Sequence, residues 1–167
     1  MKYFLIIPDK RVHNPLQPDK SALDLETAQA SLVYADFQPD TTFVDYLIIK
    51  KMFHYGFYVS EIFKDMLDIY ADNLTAVPVF ITDQSQKQQK VYWRINIEQQ
   101  DCLVIEPQMH YENLTLKQDQ TNNKYIFRVA FEQQQYLVVS LHLAENILRK
   151  GLTGIQFIPV NLQQTED

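Results

Sequence analysis

Cys102, His110 and Glu112 come nearest, by type and spacing, to a catalytic set in this chain. A thiolate beside an imidazole is a nucleophile, so a Cys102/His110 pair is the arrangement to weigh. Cys102, however, opens the apolar run Cys102-Leu103-Val104-Ile105, which suits a small core residue better than a reactive thiol. His142 and Glu145 stand i, i+3 on a helical stretch beside Asn146. Such a pair can share a metal ion, but no third ligand follows at a usable spacing. Asp65, Asp68 and Asp72 share another helical stretch, where carboxylates can hold Mg²⁺ or move protons; a solvated helix face accounts for them more simply. His13 and His54 stand alone. The three glycines, Gly56, Gly151 and Gly154, are too few for a dinucleotide or phosphate loop. The expectation is therefore no catalytic set, no metal site and no cofactor.

The elements that carry these residues follow a pattern that occurs twice. Phe57-Tyr58-Val59, rich in aromatic and β-branched residues, reads as a strand and runs into Ser60 and a helical stretch from Glu61. Leu74-Thr75-Ala76-Val77-Pro78-Val79-Phe80 follows. Leu137-Val138-Val139 likewise runs into Ser140, a helical stretch from Leu141 to Lys150, and then Leu152-Thr153-Gly154-Ile155-Gln156-Phe157. Each Ser is placed to accept from free N–H groups of the first helical turn. Ile62, Phe63, Met66, Leu67, Ile69 and Tyr70 recur at helical spacing and predict one apolar face; Leu143, Ala144, Ile147 and Leu148 do the same. Gly151 is placed as the stop after the second helix. The two helices are expected to occupy equivalent places against one sheet.

Further strands are read at residues 1–7, Asp45 to Met52, Val91 to Ile97, Cys102 to Ile105, Tyr125 to Phe131 and Tyr136 to Val139. Residues 8–20, with Pro8, Pro15 and Pro18, read as an irregular loop. Residues 21–37, with Leu23 and Leu25, read as either a short helix or a poorly ordered arm. The polar stretches Gln84 to Lys90 and Gln118 to Lys124 suit turns. The fold class is α+β, a mostly antiparallel sheet with two principal helices, in a single domain spanning 1–167.

The composition, 46% hydrophobic with 13% aromatic residues over 167 positions, is that of a folded globule with a sizeable core. Cys102 is the only cysteine, which excludes an intrachain disulfide and fits a reducing compartment. The apolar stretch of Met1-Lys2-Tyr3-Phe4-Leu5-Ile6-Ile7 is short for a signal peptide and reads as a buried strand. No segment has the length of a membrane span, so a cytoplasmic protein with no membrane partner is expected. Asn73-Leu74-Thr75 and Asn113-Leu114-Thr115 are then chance sequons. A net charge of −6 argues against a nucleic-acid partner.

The charge is unevenly spread. Asp24, Glu26, Asp36, Asp40 and Asp45 fall between Lys20 and Lys50 with no basic residue among them. Glu98, Asp101, Glu106 and Glu112 fall between Arg94 and Lys117 in the same way. Two such windows suit a basic protein partner or serve solubility.

Several pieces of the chain in order resemble a bacterial immunity protein family of polymorphic toxin systems, once catalogued as a domain of unknown function. They are Tyr46-Leu47-Ile48-Ile49, Val59-Ser60-Glu61, Tyr92-Trp93-Arg94-Ile95-Asn96-Ile97, Asp101-Cys102-Leu103, Tyr125-Ile126-Phe127-Arg128 and Gly151-Leu152-Thr153-Gly154-Ile155-Gln156-Phe157. The resemblance runs over roughly 43–160. It departs at Leu141, where the helix start often carries an acidic residue. It implies a non-enzymatic protein that binds a cognate toxin, the C-terminal domain of a secreted effector, and blocks it in the producing cell. On that reading Asp36, Asp40, Asp45, Glu98, Asp101, Glu106 and Glu112 are candidate partner contacts, with Tyr55 and Tyr111 as aromatic anchors. The alternative is a structural or adaptor domain that binds another protein or forms a homo-oligomer.

Overall fold

The computed structural model describes residues 1–19, 28–52 and 54–164. Leu23, Asp24, Leu25, Glu26 and Phe53 lie outside the described residues. The elements in chain order are β1 (Tyr3–Pro8), β2 (Ser31–Tyr34), β3 (Tyr46–Lys51), β4 (His54–Val59), α1 (Glu61–Tyr70), β5 (Thr75–Asp83), β6 (Gln88–Asn96), β7 (Thr115–Lys117), β8 (Ile126–Phe131), β9 (Gln134–Ser140), α2 (Leu141–Arg149) and β10 (Ile155–Gln163).

The strands form two five-stranded sheets rather than the one expected. Their orders are β7-β10-β1-β9-β8 and β2-β5-β6-β4-β3. Both sheets have the same plan. In one, β4 and β5 flank β6, each antiparallel to it, and α1 connects them across β6. In the other, β9 and β10 flank β1, each antiparallel to it, and α2 makes the connection. The hairpin β3–β4 matches the hairpin β8–β9, and the parallel pair β2–β5 matches β7–β10. The twofold pattern in the sequence is thus a repeat of a whole sheet. Its second copy takes its central strand, β1, from the start of the sequence.

The helix signals act locally as expected. Ser60 Oγ accepts from Phe63 N, and Ser140 Oγ from Leu143 N, both at 3.3 Å. Gly151 has φ +70° and donates to Leu148 O, while Leu152 N–H donates to Ile147 O, a Schellman stop. At Gly154, with φ +79°, an added Cβ would lie 2.5 Å from Val44 Cβ, so the close approach to the β3 entry requires glycine.

The helices share one core. Phe63, Met66 and Leu67 of α1 and Leu143, Ala144 and Ile147 of α2 meet Ile6, Tyr46, Phe57, Val59, Ile95, Leu137 and Val139 from both sheets. Alternation along the strands sends neighbouring side chains to two further clusters. Tyr3, Leu5, Ile7, Phe127 and Val138 pack under Cys102, Leu103, Met109 and Leu114, and Leu47, Ile49, Tyr58 and Tyr92 under Leu16, Phe37 and Val44.

Three local expectations change. Ser31–Tyr34, expected as helix or arm, is β2, held by parallel pairing with β5. Of the run from Cys102 to Ile105, only Leu103 makes a bridge, to Leu116. The apolar face of α1 is not buried throughout: Ile62 is 59% and Ile69 79% exposed, as Leu148 of α2 is at 64%.

Candidate functional site

The acidic candidates fall on long connections, and several are already engaged. Asp40 pairs with His13 Nε2 and accepts from Asn14 Nδ2, both at 3.0 Å, which holds its carboxyl below the usual range. Asp45 accepts from Thr153 N at 2.7 Å and Thr153 Oγ1 at 3.1 Å, tying the entry of β3 to the exit of α2. Glu98 meets Lys124 Nζ at 2.6 Å, and that hydrogen bond lowers its pKa. Glu112 accepts from Tyr111 at 3.3 Å. Asp36, Asp101 and Glu106 are exposed. The first window follows β2 and runs to β3, the opposite edges of one sheet; the second joins β6 to β7 in the other. A window free of basic residues along the chain is thus not free of them in space, because Lys124 arrives from beyond β7.

The two aromatic candidates are half-buried. Tyr111 stacks on Tyr136, centroids 6.0 Å apart at 17°. Lys50 Nζ stands 5.2 Å from the centroid of Tyr55. Burial raises the Tyr136 pKa, with smaller contributions from Tyr55, Tyr111 and Glu132.

The candidate chemical groups do not assemble. Cys102 is fully buried, and burial pushes its thiol up to about 11, where a thiolate does not form at neutral pH. His110 is exposed and its backbone N–H donates to Asn113 Oδ1 at 2.7 Å. His142 turns to Tyr70 and Tyr125, with Nε2 3.3 Å from Tyr70 Oη. Lys64 Nζ reaches Asp68 at 2.6 Å and Asp65 at 3.7 Å, and Lys124 reaches Asp72 at 3.5 Å. Among the described residues no group of three or more His, Cys, Asp or Glu could hold a metal ion.

A surface feature stands out that the sequence did not single out. Between α1 and α2 runs a groove of about 570 Å³, lined by Ile62, Asp65, Met66, Ile69, Tyr70, Asn146, Arg149 and Lys150. Its apolar side comes from α1 and its basic side from α2. Asn146 Nδ2 donates to Tyr70 Oη at 2.6 Å, which fixes the two helices together at its floor. The signal lay in the width of the α1 stripe. Ile69, Ile62, Met66, Tyr70, Phe63 and Leu67 span about 160° of the helix, more than the ~100° a core-facing stripe needs. The surplus edge holds Ile62 and Ile69.

The chain is thus a repeated two-sheet α+β fold with an open, amphipathic groove between its helices. Residues 93–161 match the model of the Immunity protein family (Imm11). The match begins in β6 at Trp93 and takes in β7, β8, β9, α2 and β10 to Asn161, most of the second repeat. No curated protein matches the chain. Among the described residues no helix is long and apolar enough to cross a membrane.

Proposed function

We propose that this protein binds and neutralises a cognate toxin, without catalysis, in the bacterial cytoplasm. The observation that carries the reading is the Imm11 match over residues 93–161. The toxin is taken to be the C-terminal domain of a secreted effector. The α1–α2 groove supplies a desolvated centre for the contact, with Ile62 and Ile69 as anchors and Arg149 and Lys150 at the rim. The exposed carboxylates of Asp36, Asp101 and Glu106 in an acidic chain favour a basic partner. They speed encounter through the field of the whole molecule, without needing to border the groove. Asp40, Asp45, Glu98 and Glu112 add to that field while held by their own partners.

The test is protection. The full chain is co-expressed with a candidate toxin domain taken from a neighbouring reading frame, and growth is followed. Restored growth together with a co-purifying complex supports the reading. Unrestored growth at equal toxin levels contradicts it, as does restoration through turnover of a substrate rather than a stoichiometric complex.

A further inference from the structure

A second concavity, of about 590 Å³, opens where the two sheets approach each other. Its lining includes Tyr55, Phe57, Ile95, Arg94, Asn96 and Arg128, from β4, β6 and β8. Two residues of its lining, Tyr55 and Arg128, each carry a buried polar atom, Oη and Nε, with no hydrogen-bond partner. Buried donors in folded proteins are nearly always satisfied, and an orphan costs on the order of 1–3 kcal/mol. Here two orphans fall in one cleft.

Arg128 specifies what would satisfy them. Its Nη1 donates to Gln135 Oε1 at 2.9 Å, so one side of the guanidinium is fixed and the Nε side is unused. That edge carries the parallel N–H pair that matches the two oxygens of a carboxylate. Among the described residues no carboxylate pairs with Arg128, although its burial disfavours the charged form. A half-buried cation in a chain of net charge −6 is therefore left without a counter-ion from these residues. Phe57, Ile95, Ala76 and Val77 offer apolar wall for the short stem of an acidic residue. Tyr55 Oη supplies a further donor.

We propose that this cleft is a carboxylate-binding site, in which the Nε edge of Arg128 and the hydroxyl of Tyr55 hold an acidic group. The carboxylate comes either from a small free acid or from an Asp or Glu side chain of the bound toxin; the second source rests on the immunity reading, whereas the site itself does not.

The experiment follows the side-chain Nε–H signal of Arg128 by ¹⁵N NMR in the full-length protein. In the first arm, acetate is titrated against chloride at matched ionic strength. A saturable shift with acetate alone is expected. Arg128→Gln raises the acetate dissociation constant of the site about tenfold or more, read from backbone signals of Tyr55 and Phe57. Tyr55→Phe, which leaves Arg128 and the fold intact, weakens binding by a smaller factor. No saturation, or the same shift with chloride, would overturn the site and leave both orphans to water. Saturation by inorganic phosphate but not acetate would overturn the carboxylate assignment. In the second arm the signal is read in the toxin complex. A shifted signal that acetate no longer moves identifies the partner's side chain as the source, and one that acetate still titrates identifies a free acid. Both results support the site. If no toxin binds, the immunity reading fails while the first arm stands.

Discussion

Asp83 ends β5 almost wholly buried, and three donors close on its carboxylate: Phe37 N at 2.7 Å, Ser85 Oγ at 2.7 Å and Gln86 N at 2.9 Å. The backbone N–H of Phe37 is the leading cause that lowers its pKa to about 2. The ionised form is therefore favoured in the folded chain over the unfolded one, whose carboxyl titrates near 3.9. A depressed folded pKa gives stability that is complete above the unfolded value and lost as pH falls through the folded one. Thermal melts of the wild type should drop between about pH 4 and pH 2, whereas Asp83→Asn should start lower at pH 6 and show a shallower decline. Parallel curves would contradict this role. Asp83 was not legible in the sequence, since its first donor lies 46 positions away. The glycine stop at Gly151 was legible, because its geometry is decided within the last turn of its own helix. Cys102 was legible as a core residue for a similar reason: its type and its apolar neighbours agree.

At the scale of elements, the two Ser caps are the cleanest comparison between the repeats. Both accept at 3.3 Å, but Ser140 is buried and Ser60 is only half so. Ser→Ala at either site should cost about 1 kcal/mol. Ser140→Ala should cost more, because it leaves the N–H of Leu143 unsatisfied away from water. Urea denaturation measures both: negligible losses would contradict the cap assignment, and equal losses would contradict the added cost of burial at Ser140. The caps and strands around them were readable from residue type alone. The exposed edge of α1 was not. The excess width of the α1 stripe signals a surplus apolar edge, but periodicity alone does not say that the core is filled by Phe63, Met66 and Leu67 and leaves Ile62 and Ile69 outside. Likewise β2 was hidden because a four-residue strand is decided by its parallel partner β5, not by its own composition.

At the scale of the whole molecule, the fold is one sheet plan used twice. Its sequence order is shifted so that β1 serves the second copy. Strand order and register make this checkable. Tyr3 pairs with Val160, so the start of β1 and the end of β10 lie side by side. A permuted chain in which β1 follows β10 through a short turn, with a new start in the loop after Pro8, should fold with a cooperative melt close to that of the wild type. Loss of cooperative unfolding would contradict the equivalence of β1 and β6. The repeated unit was visible in the sequence as strand, Ser, helix, strand. The presence of two sheets was not, because the central strands β1 and β6 lie outside the repeated motif. The Imm11 match covers most of the second copy, and the groove is formed where α2 of that copy meets α1 of the first.

The central claim is that this chain neutralises a toxin through the groove between its helices. The most direct measurement is the dissociation constant of the full chain for a candidate toxin domain taken from a neighbouring reading frame, compared with that of Ile69→Asp. Ile69 is largely solvent-exposed, so its replacement should leave the thermal melt unchanged. An anchor lost from a desolvated centre should weaken binding about tenfold or more, chiefly through faster dissociation, and abolish protection of cells at limiting expression. Unchanged affinity and full protection by a folded Ile69→Asp protein would contradict the account.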